Sequence, residues 1–234
     1  MEISQHHKTA LLFGATGLVG SQCLRQLLEH PAYRQVVTFG RRPLDVEHPR
    51  LKHHTIDFDR LDDYAGLLRG HDLYSCLGTT MARAGSREAF YRVDYTYAYE
   101  PARLAAANGV NQLLLVSSVG ADPESLFFYS RVKGELEVAV KELPFWAVHI
   151  FQPSFLVGDR SETRLGEQLA GRLTLGLDRL TGGALLGKFR PVEAEQVARA
   201  MIHAAQMLEK GVHVYPSGQI HELAGEGNQQ VTKT

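Results

Sequence analysis

Short apolar runs alternate with stretches of helical periodicity along most of the chain. Ala10-Leu11-Leu12-Phe13 closes a run that predicts a first strand over Lys8–Phe13. Leu18–Glu29 then carries the i, i+3, i+4 spacing of an amphipathic helix. Further apolar runs predict strands over residues 35–39, 52–56, 72–77, 112–117 and 145–151. Helical patterns cover residues 87–107 and 128–143. The first contains Pro101, which is expected to kink or split it, and it ends on Asn108-Gly109. The second stops at Pro144. The run at 112–117 is apolar enough to be buried on both faces, as central parallel strands are. Strand and helix in alternation, with crossovers of this length, predict an α/β fold with a doubly wound parallel sheet. Such sheets bind ligands at the carboxyl ends of their strands.

The alternation breaks down after Gln152-Pro153. Residues 164–187 are rich in Leu and Gly, with Gly171, Gly176, Gly182 and Gly183 interrupting any helix. Residues 192–208 form an amphipathic helical pattern and 212–215 a short strand. The expected organisation is a single domain over residues 1–224. Its core spans 8–152, and a small C-terminal lobe on the substrate side, 153–224, folds over the sheet as a lid. The polar stretch 225–234 is expected to be a flexible tail.

Composition narrows the class. The chain has 234 residues, 44% hydrophobic and 22% charged, which supports one sizeable core and excludes disorder as a whole-chain state. A formal net charge of −1 gives no electrostatic basis for a nucleic-acid partner. No apolar run approaches the ~20 residues that span a bilayer, so no membrane partner is expected. The first eight residues hold no signal-peptide core, and Glu2 stands where myristoylation requires glycine. A cytoplasmic setting is therefore the expectation, with Cys23 and Cys76 as small buried thiols. Among eleven histidines, His6-His7 and His53-His54 are adjacent pairs that point to opposite faces of a strand, and no H-x-x-x-H or Cys–His spacing exists. No metal site is expected. The absence of G-x-S-x-G sets aside an α/β-hydrolase.

The turn Gly14-Ala15-Thr16-Gly17-Leu18-Val19-Gly20 joins the first strand to the first helix. Glycines let the backbone turn sharply and let a phosphate approach, while unpaired N–H groups at the helix start point at it. Gly14 is assigned the turn, Gly17 the approach to a pyrophosphate and Gly20 the close packing of helix on sheet. Thr16 either reaches a phosphate or caps the helix. The second strand ends in Arg41-Arg42, where NAD sites carry an acid that binds the ribose hydroxyls. Guanidinium forks match a phosphate instead, which points to the 2′-phosphate of NADP. After the third strand, Asp57 is placed either to accept from the adenine amino group, with Phe58 beside the ring, or to cap a helix.

Tyr129 and Lys133 lie four residues apart, on one face of the predicted helix. A phenol titrating near ~10 is a poor acid at neutral pH unless a neighbouring ammonium favours the phenolate. Ser117-Ser118 ends the fifth strand one element earlier, where a hydroxyl can hold a substrate oxygen while the tyrosine transfers its proton. Ser118 is the preferred catalytic serine, with Ser117 bonded at the strand end. Tyr91, Tyr95 and Tyr99 form a stripe on the long helical pattern, read as a packed helix face rather than a binding platform.

Taken in order, these motifs resemble the short-chain dehydrogenase/reductases, in their extended or atypical branch with an NAD(P)-binding Rossmann fold. Residues 76–80, 118–122, 132–135 and 152–156 resemble the Tat-interacting-protein group, an NADPH-binding branch. The resemblance implies that Leu77, Gly78 and Thr79 border the cofactor, Tyr129 is the acid/base and Lys133 holds the ribose. It also implies that Pro153 to Leu156 lie near the nicotinamide, with Arg164 as a further contact. One departure stands out: Asp94 occupies the place of an asparagine that supports the proton relay in extended members. The expected function is NADP(H)-dependent hydride transfer to a small carbonyl compound by a monomer or homodimer. A module that binds NADP(H) without significant turnover is the alternative. An epimerase or dehydratase with tightly held NAD fits the arginine pair less well.

Overall fold

The computed structural model describes residues 6–157 and 191–231. Seven strands form one parallel sheet in the order β3-β2-β1-β4-β5-β6-β9. They are β1 (Lys8–Phe13), β2 (Tyr33–Gly40), β3 (Leu51–Thr55), β4 (Asp72–Ser75), β5 (Gln112–Val116), β6 (Ala147–Gln152) and β9 (Gly211–Pro216). A separate parallel pair joins β7 (Leu156–Val157) to β8 (Val192–Glu193). The helices are α1 (Leu18–Glu29), α2 (Met81–Ala84), α3 (Arg87–Tyr91), α4 (Tyr97–Ala107), α5 (Phe128–Lys141), α6 (Ala194–Met207) and α7 (Ser217–Val231), with a 3-10 stretch over Phe58–Leu67.

The sheet is doubly wound because its central strands are apolar on both faces. In β1 all six residues are buried, with Ala10 and Leu12 facing one layer and Leu11 and Phe13 the other. The first layer holds α1, α6 and α7; the second holds the 3-10 stretch, α4 and α5. Each Leu or Phe removed from water in this way contributes roughly 1.5–3 kcal/mol. The strand order reverses between β1 and β4, and the crevice at such a reversal is where these sheets bind ligands.

The amino ends of the strands are closed by a buried polar network. Lys8 and Asp72 form an ion pair at 2.5 Å, and Asp72 also accepts from Tyr33 and from Gln112. The Gln112 side-chain amide oxygen, Oε1, accepts from His149 Nε2 at 3.2 Å. That leaves His149 Nδ1 to accept from the Tyr215 hydroxyl at 3.0 Å. Burial, with His213 and Lys8 nearby, lowers the His149 pKa to about 3, so the ring is neutral.

Three expectations change. Pro101 does not split its helix: a wider π turn over Arg92–Thr96, with Tyr97 N–H bonded to the Arg92 carbonyl, joins α3 to α4 one turn before it. The described residues after 190 complete the main core. Strand β9 pairs with β6 along its whole length, and α6 packs on α1 through Cys23–Met201 and Arg25–Glu195 contacts. Residues 225–231, read from composition as tail, continue α7, and Gly227 packs against Arg199 and His203 of α6.

Candidate active site

The glycine turn sits at the reversal between β1 and β4. Gly14 adopts φ +83°, and a Cβ there would lie 2.5 Å from the Cys76 carbonyl oxygen, so only glycine fits. Gly17 N–H bonds back to the Gly14 carbonyl at 2.8 Å. A Cβ on Gly20 would lie 2.0 Å from that same carbonyl. Gly20 thus seats the helix on the turn itself rather than on the sheet. The N-cap of α1 is Gly17, not Thr16, and it has no side chain to occupy the first helical N–H groups. Ala15, Leu18 and Val19 fill the rest of the turn, with Ala15 and Val19 buried. The cradle has the backbone and the helix start that a pyrophosphate requires.

Arg41 and Arg42 are exposed beyond β2. Arg42 shares a cavity of about 770 Å³ with Ala15, Thr16, Ser21, Arg25 and Leu44, beside the glycine turn. His53 fixes the Arg42 backbone. It is paired in register with Thr38, receives that hydroxyl on Nδ1 at 2.8 Å and donates from Nε2 to the Arg42 carbonyl at 3.0 Å. His54 stacks on Phe39 from the opposite face of the strand, as the alternation requires. No cluster suited to a metal ion occurs among the described residues.

Both residues expected beside the adenine make contacts within the chain. Asp57 caps the 3-10 stretch by accepting from Asp59 N–H at 3.0 Å. The Phe58 ring is buried between Phe13 and Tyr97, with centroids 6.0 Å and 4.8 Å away, so it supports the strand ends from inside the core.

The reactive face is built on α5. Tyr129 and Lys133 occupy one side of it, and Glu137 continues that side one turn further. Tyr129 is 38% exposed, and its ring leans on Phe90, 5.6 Å away. Lys133 is buried, with its ammonium 2.7 Å from Asp94 Oδ1 in an ion pair rather than an aligned hydrogen bond. The other Asp94 oxygen accepts from Thr79 N–H at 2.8 Å. Burial works against the Lys133 charge, but Asp94, with Tyr129 and Glu137, outweighs it and raises the lysine pKa above its ordinary value. A Cβ on Gly78 would lie 3.4 Å from Asp94 and 3.8 Å from the Lys133 ammonium. Leu77 and Gly78 therefore bridge the glycine turn, which packs on Cys76 and Leu77, to the lysine.

The two serines differ in their surroundings, and the Ser117 hydroxyl bonds across to α5 rather than locally at the strand end. Ser117 is buried and donates to Glu137, whose carboxylate also receives both bonds of the Gln152 amide at 2.9 and 3.0 Å. Among the described residues, the Ser118 hydroxyl makes a long 3.4 Å contact with the Val119 carbonyl. The loop after Ser118 is held to α5 at Gly134, where a Cβ would lie 2.2 Å from Pro123 N. The Pro153 carbonyl accepts from Val119 N–H, and Leu156 opens β7.

Arg164 and residues 158–190 of the expected lid lie outside the described residues. A second cavity, of about 700 Å³, is lined by Asp59, Arg87, Tyr91, Arg92 and Phe128 among others, and lacks both Tyr129 and Ser118. The Tyr91, Tyr95 and Tyr99 rings stack on one another at 4.8 and 5.8 Å along the half-buried helix face. Sequence reasoning missed His53 and Glu137. The first is signalled only by its register opposite Thr38, the second by the i, i+4, i+8 continuation of the Tyr–Lys face.

Comparison with known proteins agrees with this geometry. Residues 14–142, more than half of the chain, match an NAD(P)H-binding family. Protein HTATIP2 of Rattus norvegicus is 39% identical over 173 residues, 72% of this chain and 71% of that protein. Protein FMP52, mitochondrial, of Candida albicans is 35% identical over 211 residues, 88% of this chain and 90% of that protein. Protein FMP52-1, mitochondrial, of Scheffersomyces stipitis is 34% identical over 226 residues, 92% of this chain and 98% of that protein.

Among solved structures, MoeE5 in complex with UDP-glucose and NAD is similar with a TM-score of 0.67 at 17% identity, covering 96% of this chain and 82% of that chain. A UDP-N-acetylglucosamine 4-epimerase from Methanobrevibacter ruminantium M1 has a TM-score of 0.67 at 14% identity, covering 98% and 83%. At such low identity these likenesses speak for the fold alone. The fungal relatives, named mitochondrial, overturn the cytoplasmic expectation, which rested on missing targeting signals. The matched span and the relatives agree: the chain belongs to an NAD(P)H-binding family.

Proposed function

We propose that the chain is an NADP(H)-dependent oxidoreductase that reduces a small carbonyl compound. One observation carries this reading: Gly78 connects the glycine turn to a buried, charged Lys133, and Tyr129 stands one helical turn away, open to solvent. The dinucleotide, when bound, supplies the hydride. Gly14 to Gly20 would hold its pyrophosphate, Arg41 and Arg42 its 2′-phosphate, and Leu77, Gly78, Thr79, Pro153 and Leu156 its nicotinamide half. Ser118 holds the carbonyl oxygen, Tyr129 gives that oxygen a proton, and the Lys133 ammonium favours the phenolate left behind. Asp94 keeps Lys133 charged and fixed in place.

The test is a panel of carbonyl compounds with NADPH, comparing the wild-type protein with Tyr129→Phe. Loss of turnover of a substrate found in this way, with NADPH binding retained, supports the assignment. A variant that turns over that substrate at the wild-type rate removes Tyr129 from the chemistry.

The Asp94–Lys133 pair also favours a second reading. A carboxylate that engages the ammonium competes with its work on the tyrosine and the ribose, as befits a protein that binds NADP(H) and reports its redox state. Tight NADPH binding without turnover across the panel, together with partners that change between NADPH and NADP+, selects that reading.

A further inference from the structure

Cys23 and Cys76 have no part in the function proposed above, yet they meet at the base of the glycine turn. Cys23 lies on α1 and Cys76 immediately follows β4, with their sulfurs 3.8 Å apart and both thiols free. A disulfide brings sulfurs to about 2.05 Å, a closure of about 1.8 Å. The backbone around the pair is closely held. Cys76 N–H is bonded to the Phe13 carbonyl at 3.0 Å, and its own carbonyl blocks any Cβ at Gly14. On the other side, α1 presses on the Gly14 carbonyl at Gly20. Drawing Cys76 and α1 together therefore compresses the turn that lies between them.

We propose that Cys23 and Cys76 are a redox modification site: hydrogen peroxide converts them to a reversible intramolecular disulfide, which deforms the Gly14–Gly20 turn and weakens dinucleotide binding. The second half of this proposal rests on reading the turn as the dinucleotide site. The order of events follows from exposure. Cys76 is partly exposed and reacts first, whereas Cys23 is fully buried. The hydrogen bond with Cys76 and burial push the Cys23 thiol well above its ordinary range, so it is a poor first nucleophile.

The Cys76 thiolate attacks one peroxide oxygen. The O–O bond breaks, leaving a sulfenic acid on Cys76 and a hydroxide that becomes water. The Cys23 sulfur then attacks the Cys76 sulfur. The S–S bond forms, the S–O bond breaks, and the hydroxide released takes the Cys23 proton to become a second water. The two sulfurs together give two electrons to the peroxide. A dithiol reductant reverses the change. Disulfides in reducing compartments are characteristically of this transient, sensing kind.

The test uses the whole purified protein, reduced, then treated with hydrogen peroxide, then re-reduced with dithiothreitol. Peptide mapping after alkylation reads the cross-link, and NADPH fluorescence titration reads affinity at each stage. The expected result is a Cys23–Cys76 cross-linked peptide with NADPH affinity roughly tenfold weaker, restored on reduction. Cys76→Ser abolishes the response to peroxide. If that variant does not fold, the wild-type protein cycled between the two states decides the matter. Over-oxidation of Cys76 without a cross-link overturns the site, and a cross-link with unchanged NADPH affinity overturns its effect on binding. A reduced protein that binds neither NADPH nor NADH removes the reading of the turn and the second half of the proposal with it, while the peptide map still decides the cross-link.

Discussion

The Asp94 carboxylate lies 2.7 Å from the Lys133 ammonium, with both side chains buried. Removing one partner of a buried pair leaves the other charge uncompensated, at a cost of roughly 3–5 kcal/mol. Asp94→Asn retains an oxygen for Thr79 N–H but takes away the counter-charge. The variant is expected to lose about that much stability in urea denaturation, and its Lys133 pKa falls. Equal denaturation midpoints for variant and wild type remove the pair from the account of the site.

The proposed function assigns the choice of cofactor to the arginines after β2. Hydrogen bonds to charged groups contribute roughly 1.5–3 kcal/mol, so a lost 2′-phosphate contact weakens binding about ten- to a hundredfold. Calorimetry on wild type is expected to show NADPH bound tighter than NADH, and Arg41→Ala combined with Arg42→Ala to abolish the difference. Equal affinities in the wild type sink the preference for NADP.

Glycine substitutions separate the turn from ordinary loops. Gly14→Ala and Gly20→Ala place a methyl 2.5 Å and 2.0 Å from backbone carbonyl oxygens, and both are expected to lose NADPH binding. Gly85 has a similar positive φ of +79° with nothing within 4 Å, so Gly85→Ala carries only the left-handed backbone cost of about 1–2 kcal/mol. Thermal denaturation and NADPH titration of the three variants check this, and a Gly14→Ala protein that binds like wild type contradicts the cradle.

The amino end of the sheet makes stability depend on pH. His149 is neutral in the folded protein, with its pKa lowered from 6.5 to about 3, whereas the unfolded chain binds its proton below pH 6.5. The contribution of neutral His149 is complete above pH 6.5 and is lost as the pH falls from there towards 3. The limiting slope for one such group is about 1.4 kcal/mol per pH unit. Urea midpoints measured from pH 7.5 to 5 are expected to fall, and to fall less steeply in His149→Gln. Parallel curves for the two proteins would remove His149 as the cause.

Where a local pattern carries its own geometry, the site is legible in the chain. The glycine turn is legible because strand, glycines and helix are contiguous, and Tyr129–Lys133 because four residues make one helical turn. Asp94 enters the sequence as a departure at a relay position. Its pairing with Lys133 exists only once the π turn packs on α5, and no local spacing encodes that. Phe58 reads as a ring beside adenine because it follows a strand, and no local spacing encodes its packing on the Phe13 and Tyr97 rings. The tail misleads for a related reason: glycine and polar residues at 225–231 favour coil locally, while Gly227 permits close approach to α6. Strand β9 carries a weak apolar signal because it lies at the sheet edge and is half exposed, so its membership depends on pairing with β6.

The π turn at Arg92–Thr96 makes the site depend on counting. A wider turn holds one residue more than a regular helix, and one residue is worth about 100° of rotation. Phe90, which braces Tyr129, and Asp94, which holds Lys133, both reach α5 across this turn. A single-residue deletion between Arg92 and Thr96 would leave a regular helix with its composition nearly intact. It would also swing the brace of the tyrosine and the anchor of the lysine out of phase with α4 in one step. The spacing of this segment, as much as the identity of its side chains, keeps Tyr129 and Lys133 in register.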